Sequence, residues 1–251
     1  MSKQKKWNLL FITISVLLAT IATKNTYAQF NDSTHYHTAF LSSGSLNKTN
    51  DATAYLLNNL FKFNIKKKAV SMNFTNNWIY GKQDAGLTNN DFSTTFDFNL
   101  YKGPPHFYYW GLANYNTSYS LKINNQLLTG LGVAYSLVET KNAYLNISDG
   151  ILYDLSDLVI NETRDVYHTY RNSFRLTFRF NIAERVVIDG SNFLQNSLDR
   201  KQDYIIRSTT NLSFKLQKWL SLTTSLNYNR ANRTQSENLL LTYGLTVEKY
   251  F

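Results

Sequence analysis

The sequence predicts an all-β fold: a transmembrane antiparallel up-and-down β-barrel of about 12 strands, closed by the C-terminal strand. Three observations predict it. Residues 239–251 place Leu239, Leu241, Tyr243, Leu245, Val247 and Phe251 on one face of a final strand; nearly every other segment alternates with period two; and the composition is polar but rich in aromatics. Hydrophobic residues make up 43% of the chain and aromatics 15%, with a mean hydropathy of −0.35. That is too polar for a bundle of membrane helices. A barrel turns only alternate residues to lipid, lines its interior with the rest, and gathers aromatics at the two interfaces.

The first element is not part of the barrel. Lys3, Lys5 and Lys6 precede an apolar run over residues 9–22 and a small-residue site at Thr26, Tyr27 and Ala28. This pattern predicts a secretory signal peptide over residues 1–28, removed before Gln29, and a single barrel domain over residues 29–251. The absence of cysteine excludes a lipoprotein anchor, a disulfide framework and thiolate metal sites. Four of the 26 basic residues lie in the leader, so 22 remain against 17 acidic ones, and the net charge falls from +9 to +5. That excess is too diffuse to indicate nucleic acid.

The strands follow in order. Residues 70–80 set Val70, Met72, Phe74, Trp78 and Tyr80 against Ser71, Asn73, Thr75 and Asn77, and residues 91–100 set Phe92, Phe96, Phe98 and Leu100 against Asp91, Ser93, Thr95, Asp97 and Asn99. Residues 172–181, 204–216 and 220–230 repeat the pattern. Tight turns are expected at 64–68, 102–106, 139–142, 181–185 and 217–219; both prolines, Pro104 and Pro105, fall in one of them, where no ladder hydrogen bond is lost. Longer polar loops are expected at 44–51, 81–91, 155–165, 197–203 and 231–238, with a shorter one at 122–126. Short and long connections alternate as in an outer-membrane barrel, with both termini on the periplasmic side. Two aromatic girdles follow: Phe61, Phe63, Tyr101, Phe107, Phe180, Trp219 and Phe251 toward the turns, and Trp78, Tyr80, Tyr115, Tyr119, Tyr167 and Tyr228 toward the loops.

Several segments carry a family resemblance covering essentially the whole mature chain: Gly44 to Asn47 with Thr49 and Asn50 in the first hairpin, Gly130 and Gly132 before Tyr135, residues 220–233, and the closing residues 244–251. Together they resemble the family catalogued as domain of unknown function 481, which includes YdiY-like salt-stress-induced outer membrane proteins. The resemblance implies an outer-membrane barrel without an established activity.

Assigning the apolar set to lipid turns Arg171, Arg175 and Arg179 inward on one strand, and Arg207 and Lys215 inward two strands on. Asp91, Asp97, Asp189 and Glu248 are the expected inward counterparts. Such a ladder either cross-links the wall into a filled lumen or selects anionic solutes in a narrow channel, and the filled reading is preferred. Tyr108 and Trp110 turn inward if Phe107 and Tyr109 face lipid, adding bulk to the lumen. Catalysis is not expected, because no serine can be paired with His35, His37, His106 or His168 by strand spacing; a lipid-acting enzyme is the least favoured reading. No metal or cofactor is expected: His35 and His37 share a face but lack a third ligand. Gly130 and Gly132 mark bending or close packing rather than a phosphate cradle. The expected partners are outer-membrane lipid and lipopolysaccharide, together with the barrel assembly machinery, which would read the terminal strand through Tyr243, Leu245, Val247 and Phe251.

Overall fold

The computed structural model describes residues 35–49, 52–140 and 142–251. The expected signal peptide, and residues 50 and 51 of the first hairpin, lie outside the described residues. The rest forms twelve antiparallel strands: β1 (Tyr36–Lys48), β2 (Thr53–Lys67), β3 (Val70–Gln83), β4 (Gly86–Leu100), β5 (Phe107–Ser118), β6 (Ile123–Glu139), β7 (Ala143–Ile160), β8 (Thr163–Ile182), β9 (Val186–Ser197), β10 (Tyr204–Lys215), β11 (Leu220–Ala231) and β12 (Ser236–Tyr250). Each pairs with its neighbours in sequence, and β1 pairs with β12, so the sheet closes as a barrel without a free edge.

The alternation in sequence becomes an inside-out burial pattern. Leu222, Leu226, Leu239, Leu241, Leu245 and Val247 are exposed on the outer face, whereas Ser221, Thr223, Ser225 and Thr242 are buried inside. A water-soluble sandwich would do the reverse, since apolar surface leaves water at a gain of about 25 cal/mol per Å². An outer wall of leucine, valine and phenylalanine belongs in lipid.

At the end of the barrel that carries the termini, the connections are the expected tight turns. At the opposite, hairpin end the expected long loops are mostly strand. Residues 155–160 and 163–165 stay paired, and Asn161 and Glu162, both at positive φ, close β7 onto β8 in two residues. Positive φ at both central positions is the type I′ geometry, whose twist matches that of the flanking strands. Residues 81–83 and 86–91 likewise pair across a two-residue turn, and Gly44 to Lys48 pair with β2. Polar residues on both faces read as loop, yet a strand that has left lipid can be polar on both faces and still pair. β8 has 20 residues, enough for a rise of roughly 50 Å at a tilt near 40°, about twice the ~25 Å apolar band of such barrels. The hairpin ends of β7 and β8 therefore project beyond the membrane.

Two members of the expected girdles are inside instead. Tyr101 packs against the buried cluster of Tyr108, Trp110 and Leu112, and Tyr167 hydrogen-bonds to Asp154 in the lumen. Each carries a polar hydroxyl and falls on the inward parity of its strand, which outweighs its aromatic character.

The seam depends on Phe251. Its backbone N–H donates to the Tyr36 carbonyl (3.0 Å) and its carbonyl accepts from the Tyr36 N–H (2.8 Å), while its ring stacks on Tyr36 with centroids 5.7 Å apart. Deleting Phe251 removes both bonds and the stack at the point of closure. The expected outcome is a smaller folded, heat-modifiable fraction on electrophoresis; a yield equal to the full chain would contradict it.

Candidate functional site: a lumen bridged by arginines

The inward faces of β4 to β10 supply most of the side chains that bridge the interior. At mid-height, Trp110 on β5 lies against β6 and β7 where two glycines meet: a Cβ on Gly132 would sit 2.6 Å from the indole, and one on Gly150 2.5 Å from it. The missing side chains leave the recess that the indole fills, and its Nε1–H donates to the Val133 carbonyl (3.1 Å). Tyr108 and Trp110 are 6% and 4% exposed, while Phe107 and Tyr109 are 48% and 53% exposed on the outer wall.

Arg175 on β8 crosses in front of this indole. Its guanidinium lies 5.4 Å from the Trp110 ring and 5.5 Å from that of Phe193, and it donates to Asp97 on β4 (3.0 Å) and Ser148 on β7 (3.2 Å). A planar cation between two aromatic faces with a carboxylate at its edge is held on three sides. Arg207 on β10 reaches across to Asn114 on β5 (2.8 Å) and Gln126 on β6 (2.7 Å). In a round barrel of 12 strands, walls five strands apart would be separated by roughly 23 Å. An extended arginine, an asparagine and one hydrogen bond cover only about 14 Å. The section is therefore flattened, with β10 close to β5 and β6.

Nearer the hairpin end, Arg171 is fully buried. It donates to Asp154 (2.6 Å), to Asp203 (2.8 Å) and to the Tyr167 hydroxyl (2.9 Å). Asp203 ends the β9–β10 connection and also accepts from Arg233 (3.2 Å), whose short 3-10 helix (Asn232–Thr234) joins β11 to β12. Arg233 pairs with Asp165 (2.8 Å) and lies 3.5 Å above the Tyr167 ring. Two arginines thus face three carboxylates, and Gln126 links this hub to Arg207 by donating to Asp154 (3.3 Å). Counting Arg207, the cations and carboxylates of the hub balance, which lowers the cost of holding its buried members out of water. At the mouth, Asn238 on β12 donates to Ser120 in the β5–β6 connection (2.9 Å), and that connection turns Leu121 inward against Ile123 and Leu158. Outside, the Arg164 fork on Asp157 (2.8 and 3.0 Å) holds that carboxylate below its ordinary range.

The sequence-predicted inward residues separate into two groups. Asp97 meets Arg175, whereas Asp91 is occupied by Ser118 and Ser120. Arg179, Lys215, Asp189 and Glu248 line a separate cavity near the terminal end, where Glu248 contacts His37 (3.1 Å) and Asp189 accepts from Asn211 (3.0 Å). Sequence reasoning missed Asp154, Asp165, Asp203, Gln126 and Arg233. Asp154 and Ser156 alternate with Tyr153 and Leu155, a period-two signal that could have extended β7 and turned Asp154 inward. Asp203 and Arg233 lie in connections, where periodicity carries no information.

The model of the family "Protein of unknown function, DUF481" matches residues 44–248, nearly the whole described barrel. The chain belongs to this family. No curated protein matches this DUF481 chain in sequence. Among solved structures it is similar to the NanC porin, at 8% identity and a TM-score of 0.53, covering 85% of this chain and 99% of that one. It is also similar to the translocator domain of the autotransporter NalP from Neisseria meningitidis, at 11% identity and a TM-score of 0.49, covering 97% and 96%. At 8% identity the likeness to the NanC porin is one of fold. The DUF481 chain is an outer-membrane-type β-barrel with porin-like neighbours.

Proposed function

We propose that this DUF481 protein is an outer-membrane barrel whose resting lumen is closed, serving as a structural or stress-related element of the envelope that holds its hairpins outside the membrane. The observation that carries the reading is the stack of side-chain bridges across the interior: Asn238 to Ser120, Arg171 to Asp154 and Asp203, Arg207 to Asn114, and Arg175 to Asp97. The inside-out wall supports residence in lipid, and in this reading the end that carries Tyr36 and Phe251 faces the periplasm. The assembly machinery would read the strand ending in Tyr243, Leu245, Val247 and Phe251, while outward Arg164 and Arg230 near the hairpin end would meet lipopolysaccharide phosphate. No catalytic role is proposed.

The second reading is a narrow channel for small anions, favoured by the row of inward arginines Arg171, Arg175 and Arg179 on β8. Liposome swelling separates the two. Wild-type barrel is expected to admit neither arabinose nor a small organic anion. Rapid entry of the anion into wild-type vesicles would favour the channel.

A further inference from the structure

Near the terminal end, beyond the bridge that Arg175 makes, the lumen holds a cavity of about 70 Å³. Lys62 from β2, Arg179 from β8 and Lys215 from β10 line it, together with Asp189, Glu248 and His37. β2 and β8 stand on opposite walls of the barrel, so the cations converge from separate directions.

The three cations differ from every other inward arginine described above. Arg171, Arg175 and Arg233 are ion-paired and Arg207 is hydrogen-bonded to two amides, but among the described residues the Lys62, Arg179 and Lys215 side chains make no ion pair within 4.0 Å and no hydrogen bond. The two carboxylates of the cavity are engaged elsewhere, Glu248 with His37 and Asp189 with the Asn211 amide. Cations outnumber carboxylates in the lining by one. All three side chains are only partly buried, so water reaches the cavity, and water or an anion supplies the acceptors that the protein does not. Elsewhere in this lumen buried arginine is matched with carboxylate or amide, so an unmatched trio around a cavity is an exception to how this interior is built.

We infer that this cavity is a binding site for a small anion, such as phosphate or a short carboxylate, held by Lys62, Arg179 and Lys215. The site goes beyond the closed-lumen reading. A blind cup below the Arg175 bridge binds its anion without passing it, whereas an open barrel would bind and conduct; conductance therefore fails or succeeds independently of binding.

The probe is inorganic phosphate, titrated by calorimetry into the folded barrel in non-ionic detergent at low salt, because screening weakens such sites. Saturable one-to-one binding is expected. Arg179→Gln and Lys215→Gln each remove a charged donor and are expected to weaken it about tenfold, the scale of one charge-assisted hydrogen bond. Glu248→Gln removes a competing carboxylate and is expected to tighten it. Arg200→Ala, a charge lost from the exposed β9–β10 connection, should leave it unchanged. Heat-modifiability of each variant confirms that it has folded. Absence of saturable binding to folded wild type would overturn the inference, as would an affinity unmoved by Arg179→Gln and Lys215→Gln in folded variants.

Discussion

Replacing Arg171 with alanine is expected to destabilise the barrel by roughly 3–5 kcal/mol, the cost of leaving buried carboxylates without their cation. Asp154 is fully buried and Asp203 nearly so, and Arg171 touches both. Arg233 would still face Asp203, but Asp154 would keep only neutral donors from Ser156, Gln126 and Tyr167. The check is a urea titration of the refolded barrel followed by tryptophan fluorescence and heat-modifiability. Because the damage lies in the unpaired acids, Arg171→Met combined with Asp154→Asn and Asp203→Asn is expected to recover most of the loss. A midpoint unmoved by Arg171→Ala would mean that water already serves the hub.

The second large effect is expected at the glycine pair under Trp110. In Gly132→Ala the new methyl would lie 2.2 Å from the Asp149 carbonyl oxygen and 2.6 Å from the indole, so either the strand or the ring must move. Overpacking of this kind costs typically 1–3 kcal/mol, and a backbone contact pushes toward the upper end. Displacing the ring would also break its bond to Val133 and withdraw one face from Arg175. Gly150→Ala meets the same indole, so the double variant is expected to lose less than the sum of the singles in urea unfolding. Additive losses would show that the ring is not the shared obstacle.

The twelve strands and their inward and outward faces were legible because lipid imposes one rule on every strand: an apolar residue at every second position over about ten residues. That rule turned Arg171, Arg175, Arg179, Arg207 and Lys215 inward without any structure. It weakened where the strands leave lipid, which is why residues 155–165 read as a loop when they are the paired ends of β7 and β8. Which arginine meets which acid was not legible, because the choice depends on how far the barrel is flattened. Arg207 finds Asn114 and Gln126 only because β10 approaches β5 and β6, and Arg171 finds Asp203 only because the β9–β10 connection folds inward. Tyr101 and Tyr167 were misplaced because aromatic character was weighed above strand parity.

Closure of this lumen by side chains is open to planar-bilayer recording of the mature, heat-modifiable barrel. Folded wild-type protein is expected to be silent. Reproducible wild-type steps with a preference for anions would contradict it and make the arginines a selectivity element instead of a plug.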